Sequence, residues 1–243
     1  MATFVLVHGS WLGGWCWRRV TPYLRAAGHE VFTPTLTGLG ERAHLLTRDV
    51  GLDTHVQDIV NVLQFEELRD VILVGHSYGG MVVAGVAECV PDRLARAVYV
   101  DAWFPIDDDR SMIELGSRYL PGFLDPMLAR AQAEGDGWLI PTPGGPEYPL
   151  PFTGDDLRWL TAHLTPHPAK TLHDQVATDN TAAVRLPHTY IVCPTPRQPP
   201  RFAPFAEQAQ RNGWTCHQLA AGHFVFMTMP AELSALLATQ AAL

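Results

Sequence analysis

Residues 71–80, Val-Ile-Leu-Val-Gly-His-Ser-Tyr-Gly-Gly, constrain this chain more than any other stretch. Four apolar residues, three of them β-branched, predict a fully buried strand over 71–74. Gly75-His76-Ser77-Tyr78-Gly79 then fits the pattern G-x-S-x-G. Residues 81–90 are rich in small and apolar side chains, as a helix packed on a sheet would be. Strand, sharp turn and helix in that order hold a serine in a strained conformation with its hydroxyl above the sheet. The glycines let neighbouring backbone pass where a Cβ would clash. The helix N-terminus aims free N–H groups at whatever sits on Ser77. Ser77 is the expected nucleophile.

The rest of the chain repeats the alternation. Apolar runs predict further strands at 3–7, 30–32, 94–100, 189–193 and 214–219. Helical spacing is present over 15–27, closed by Gly28, and over 202–211 and 230–241. Thr54-His55-Val56-Gln57 reads as a capping box opening a helix with Val56, Ile59, Val60 and Leu63 on one face. Strands alternating with helices predict an α/β fold, a six-stranded, mostly parallel sheet with helices on both faces. From Trp103 the texture changes to Pro, Asp and Gly with scattered Trp. Short helices are expected at 112–120, 127–134 and 155–163, and a turn-rich connector with room for a short hairpin at 141–151. So much chain between two core strands is too long for a loop. Residues 103–186 are read as an inserted helical cap subdomain, and 1–102 with 187–243 as the core.

Composition narrows the partners. The 243 residues carry a net charge of −8 and no long Lys/Arg run, which argues against nucleic acid or an anionic membrane surface. Cys16, Cys89, Cys193 and Cys216 show no C-x-x-C spacing and are expected as buried free thiols in a reducing compartment. No apolar run reaches membrane-spanning length and no basic leader precedes the first strand, so a cytoplasmic location is expected. The sequence is compatible with a homodimer.

In open α/β sheets ligands bind beyond the carboxyl ends of the strands. Gly9-Ser10, Ser77, Asp101 and His223 all follow predicted strands. A serine hydroxyl needs a base within hydrogen-bond reach, and that base needs an orienting group. His223, in the loop after the last strand, is the expected base. An oxyanion formed in acyl transfer needs two backbone donors. Tyr78 N–H, next after the nucleophile, and Ser10 N–H, at the end of the first strand, are the candidates. Trp11, His76, Trp103, Trp138 and Trp159 are expected to line the substrate pocket, with Trp15 and Trp17 packing the first helix. Asp107-Asp108-Asp109 reads as a solvated turn. His163 and His167 are spaced i, i+4, but Pro166 disfavours a helical metal pair. No G-x-G-x-x-G follows a strand, so no dinucleotide is expected.

The chain resembles the α/β-hydrolase superfamily, and within it the group of plant methyl esterases, hydroxynitrile lyases and bacterial esterase relatives. The residues that carry the resemblance are 7–17 (Val-His-Gly-Ser-Trp-Leu-Gly-Gly-Trp-Cys-Trp), 27–31 (Ala-Gly-His-Glu-Val), 74–81 (Val-Gly-His-Ser-Tyr-Gly-Gly-Met) and Gly222-His223. It implies a small helical cap and an esterase-type triad that uses no metal or organic cofactor. The lyases of this group carry a threonine after the first histidine and lack the histidine before the nucleophile. Gly9 and His76 fit the esterase pattern instead, and 222–225 lacks the lysine some lyases use. Most relatives place the triad acid after the fifth strand, yet 193–204 contains no carboxylate. Asp101, directly after the fourth strand and in the order Ser, Asp, His, is assigned that place. The competing role for Asp101 is a turn cap, and Glu207 is the fallback acid. The expected activity is that of a serine hydrolase cleaving small hydrophobic or aromatic carboxylic esters through an acyl-enzyme. A cofactor-free lyase or oxygenase on the same scaffold, or a ligand receptor with a vestigial triad, are the alternatives.

Overall fold

The computed structural model describes residues 1–144, 150–195 and 201–241. The first half of the chain runs β1 (Thr3–Val7), α1 (Thr21–Ala26), β2 (Glu30–Phe32), α2 (Leu52–Phe65), β3 (Val71–His76), α3 (Gly79–Cys89) and β4 (Leu94–Val100). Next come α4 (Met112–Tyr119), α5 (Asp125–Glu134), β5 (Leu139–Ile140), α6 (Gly154–His163), β6 (His167–Pro168), α7 (Lys170–His173) and α8 (Thr181–Arg185). The chain closes with β7 (His188–Val192), α9 (Ala203–Arg211), β8 (Thr215–Gln218), α10 (Val225–Thr228) and α11 (Pro230–Thr239).

Side chains alternate across a strand, and here both faces are buried. Phe4, Leu6, Ile72, Val74, Val98 and Val100 point to one face, where Trp17, Leu24, Leu233 and Leu237 cover them. Val5, Val7, Leu73, Ala97 and Tyr99 point to the other, under Ile59 and Leu63 of α2 and Val82, Val83 and Val86 of α3. The resulting six-stranded sheet has the order β2-β1-β3-β4-β7-β8. Every pairing in it is parallel. The order reverses between β1 and β3, so the ends of those two strands open a crevice at the carboxyl edge. Residues 103–186 hold α4 to α8 and a two-stranded antiparallel pair, β5 with β6. Their buried side chains, such as Met112, Leu115 and Leu160, continue the two clusters on the sheet faces.

Several boundaries differ from the expectation, each for a local reason. The helix expected over 15–27 is a 3-10 turn over Gly14–Arg19 followed by a separate α1. Pro22 has no N–H to continue the first, but its fixed φ suits the opening turn of the second. α2 begins at Leu52, so Thr54 is its third residue and not its cap. Asp174, far along the chain, accepts the Leu52 N–H at 2.8 Å and allows the earlier start. α4 opens on a capping box that the sequence reading passed over. Ser111 Oγ accepts the Glu114 N–H (3.2 Å) and the Glu114 carboxylate accepts the Ser111 N–H (2.8 Å). The hairpin allowed within 141–151 falls partly outside the described residues. Cys89 is exposed at the end of α3, contrary to the expected burial of all four thiols.

Candidate active site

Ser77 stands between β3 and α3 with φ at 55°, a left-handed conformation unusual for serine. Its carbonyl accepts the Gly80 and Trp103 N–H groups, both at 3.1 Å, and its own N–H donates to Val100 at 3.2 Å. These contacts fix the turn. The turn also requires Gly75, because a Cβ there would lie 2.5 Å from the Gly79 carbonyl oxygen. Gly9 approaches from β1, where a Cβ would come within 2.9 Å of the Ser77 Cβ.

His223, in the turn between β8 and α10, meets Ser77 and Asp101 at once. Its Nε2 lies 3.1 Å from Ser77 Oγ and its Nδ1 lies 2.7 Å from Asp101 Oδ2. With Nδ1–H donated to the carboxylate, Nε2 is left to accept from the serine hydroxyl. Asp101 is buried with φ at 46°. Its other oxygen accepts the Cys193 N–H at 3.0 Å, and its own N–H donates to the Ile191 carbonyl at 2.8 Å. The end of β7 therefore holds the carboxylate without contributing an acid. Glu207, by contrast, is paired with Arg211 on α9 at 3.6 Å, both side chains largely exposed. The His223 ring stacks on Phe202, with centroids 5.4 Å apart and planes at 12°. Its carbonyl accepts a hydrogen bond from His76 Nε2–H at 2.7 Å. Burial lowers the His76 pKa well below the ordinary value, so this ring is a neutral donor.

The two candidate oxyanion donors are each held by a buried histidine. His8 Nε2 accepts the Leu36 N–H at 3.1 Å, which assigns the proton to Nδ1. Nδ1–H donates to the Gly9 carbonyl at 2.9 Å. In a trans peptide the next N–H points the opposite way, so this bond turns the Ser10 N–H away from His8. Burial lowers the His8 pKa to about 3, keeping it neutral. Tyr78 sits at the start of α3 with its side chain buried. Its hydroxyl donates to His55 Nδ1 at 2.8 Å, and His55 Nε2–H donates to the Thr37 carbonyl at 2.9 Å.

Among the described residues, two small cavities reach Ser77, Ser10 and His223. One is lined also by Leu12, His76, Leu164 and Phe224. The other is apolar, with Trp103, Met112, Phe123, Met127, Ile140 and Leu172. Trp11 lines both. Its Nε1–H donates to the Ile140 carbonyl at 3.2 Å and its carbonyl accepts the Thr165 N–H at 3.1 Å. Of the expected pocket residues, Trp11, His76 and Trp103 lie here and two do not. Trp138 is held beneath the Arg48 guanidinium, 5.2 Å from its ring centroid. Trp159 meets Trp15 edge-on at 5.2 Å, under Arg18 and Arg19. α6 buries Leu160, and the next position on a helix is turned about 100° away, which takes Trp159 off the pocket. His163 and His167 also separate, the first exposed and bonded to the Trp159 carbonyl, the second buried against Thr171. The methionines and Leu172 carried no motif and could be found only from their spacing on short helices, and Phe123, in the bend between α4 and α5, had no pattern at all.

A family model described as the alpha/beta hydrolase family matches residues 4–236. A carbendazim hydrolyzing esterase of Nocardioides sp. (strain SG-4G) is 37% identical over 98% of this chain and 99% of its own length. Methylesterase 8 of Arabidopsis thaliana is 36% identical over 42% of this chain and 38% of that protein. Among solved structures, an extracellular alpha/beta-hydrolase from a Paenibacillus species superposes with a TM-score of 0.80 at 26% identity, over 98% of both chains. A methylesterase from Arabidopsis shares the fold, with a TM-score of 0.71 at 22% identity over 100% of this chain and 99% of that one.

Proposed function

The chain belongs to the alpha/beta hydrolase family, and we propose that this carboxylic ester hydrolase works through an acyl-enzyme on Ser77. The observation that carries the reading is the unbroken row from Ser77 Oγ through His223 to Asp101, with contacts of 3.1 and 2.7 Å. In this reading His223 Nε2 takes the serine proton as Oγ attacks the ester carbonyl. Asp101 stabilises the imidazolium that forms. The Ser10 and Tyr78 N–H groups bind the oxyanion. Collapse expels the alcohol, protonated by His223, and water then releases the acid by the same steps in reverse order. Asp101 takes the place that an acid after β7 holds in most relatives.

The apolar lining around Met112, Phe123 and Met127 suits a small hydrophobic or aromatic acyl or alcohol part. Each of the two cavities at Ser77 is about 20 Å³, room for roughly one water molecule. Residues 103–186, which supply much of this lining, are read as a cap that sets which ester is taken. A reducing, cytoplasmic setting is supported by the four free cysteines. No helix among the described residues is long and apolar enough to cross a membrane.

Hydrolysis of p-nitrophenyl butyrate tests the reading. Turnover should be readily measured in the unmodified protein and fall by a factor on the order of 10⁴ or more in Ser77→Ala. A lyase or a receptor would show little ester turnover, and a rate indifferent to Ser77→Ala would remove the serine mechanism.

A further inference from the structure

Away from Ser77 the described residues enclose a much larger crevice, of about 410 Å³. It lies on the α3 face of the sheet, and α8 explains why it is open. That helix has only five residues and brings only Ala183 and the largely exposed Val184 to the gap, which Ala84, Ala87 and Glu88 of α3 also line. One wall is aromatic. Trp214 stacks on His188, with centroids 4.4 Å apart and planes at 12°, and on Tyr99 at 5.1 Å and 21°. Phe104 meets the same indole at 4.6 Å.

The charge of the crevice has one sign. Glu88 and Asp107 line it, and no Lys or Arg does. His188 adds no charge of its own. Its Nε2–H donates to the Ala183 carbonyl at 3.1 Å, and its Nδ1 is fully buried. Burial also lowers the pKa of this ring, so it is uncharged at neutral pH and brings no positive charge to the crevice.

We propose that this crevice is a second ligand site, for a planar aromatic molecule that carries a cationic amine. The volume falls within the range of small-molecule pockets, roughly 300–1,000 Å³. Aromatic walls take a flat ring, and the carboxylates attract an ammonium group and call for donors on the ligand. The site is independent of ester hydrolysis and survives if that reading fails.

The probe is tryptamine, titrated calorimetrically into the full chain carrying Ser77→Ala, with indole-3-acetate as the anionic control. One tryptamine should bind per chain, with indole-3-acetate weaker by about tenfold or more, the scale of one partly screened charge contact. Ala84→Leu, which fills the crevice from α3, should weaken tryptamine by about tenfold or more. Glu88→Gln keeps the acceptor for the Asn180 N–H (2.9 Å) and so should leave the fold unchanged. It should narrow the preference for the cation. The proposal is overturned if tryptamine does not bind at millimolar concentration, if indole-3-acetate binds as tightly, or if neither variant changes the affinity.

Discussion

Asp101 is held from three directions by His223, by the Cys193 N–H and, through its own N–H, by Ile191. That over-determination keeps an aspartate at φ 46°, a conformation that costs on the order of 1 kcal/mol or more when unsupported. Asn at this position can keep the backbone contacts, but turned to His223 its amide donates where the carboxylate accepted. The imidazole then takes the wrong tautomer. Asp101→Asn should therefore stay folded while kcat falls by a factor on the order of 10²–10⁴. Near-normal turnover in a folded variant would leave His223 acting without an acid, because Glu207 sits on α9 in its pair with Arg211. At this scale the meeting of Ser77, His223 and Asp101 at one sheet edge was legible, since Ser77 and Asp101 directly follow strands and His223 lies in the turn after the last one. The bracing histidines were not. His8 and His55 act through backbone carbonyls and a buried tyrosine, and no short spacing reveals which carbonyl a distant ring will meet.

Among the elements, the six core strands were legible because continuous β-branched runs leave few other ways to be buried. The short pieces were not. β5 and β6 are two residues each and pair across the 26 residues 141–166, which include α6. The start of α2 shows how a contact between distant segments overrides a local signal. Asp174, 122 residues along the chain, caps the Leu52 N–H and is itself paired with Lys170 at 2.7 Å. Thr54-His55-Val56-Gln57 looked like the cap only because the true acceptor lies far along the chain. Removing it with Asp174→Ala should cost about 0.5–2 kcal/mol of stability, the range for a lost N-cap. Urea unfolding measures this, and an unchanged midpoint would mean that α2 does not depend on the Asp174 cap.

Over the whole molecule, four buried neutral histidines set how stability responds to acid. His8, His55, His76 and His167 are all buried, and desolvation lowers the pKa of each, that of His8 to about 3. In the unfolded chain each takes up a proton near pH 6.5, whereas the folded protein resists until lower pH. The unfolded state then binds more protons, so this contribution is complete above about pH 6.5 and is lost as the pH falls below it. The limiting slope is about 1.4 kcal/mol per pH unit for each histidine. Urea midpoints should therefore drop between pH 7.5 and 5.5, and equal midpoints would mean that these rings are not held neutral. The covalent role of Ser77 is read out by mass spectrometry of enzyme quenched in acid during turnover of p-nitrophenyl butyrate. One butyryl group per chain is expected, on the peptide carrying Ser77 and absent in Ser77→Ala. Steady ester turnover with the butyryl group on another residue, or unchanged labelling in Ser77→Ala, would contradict it.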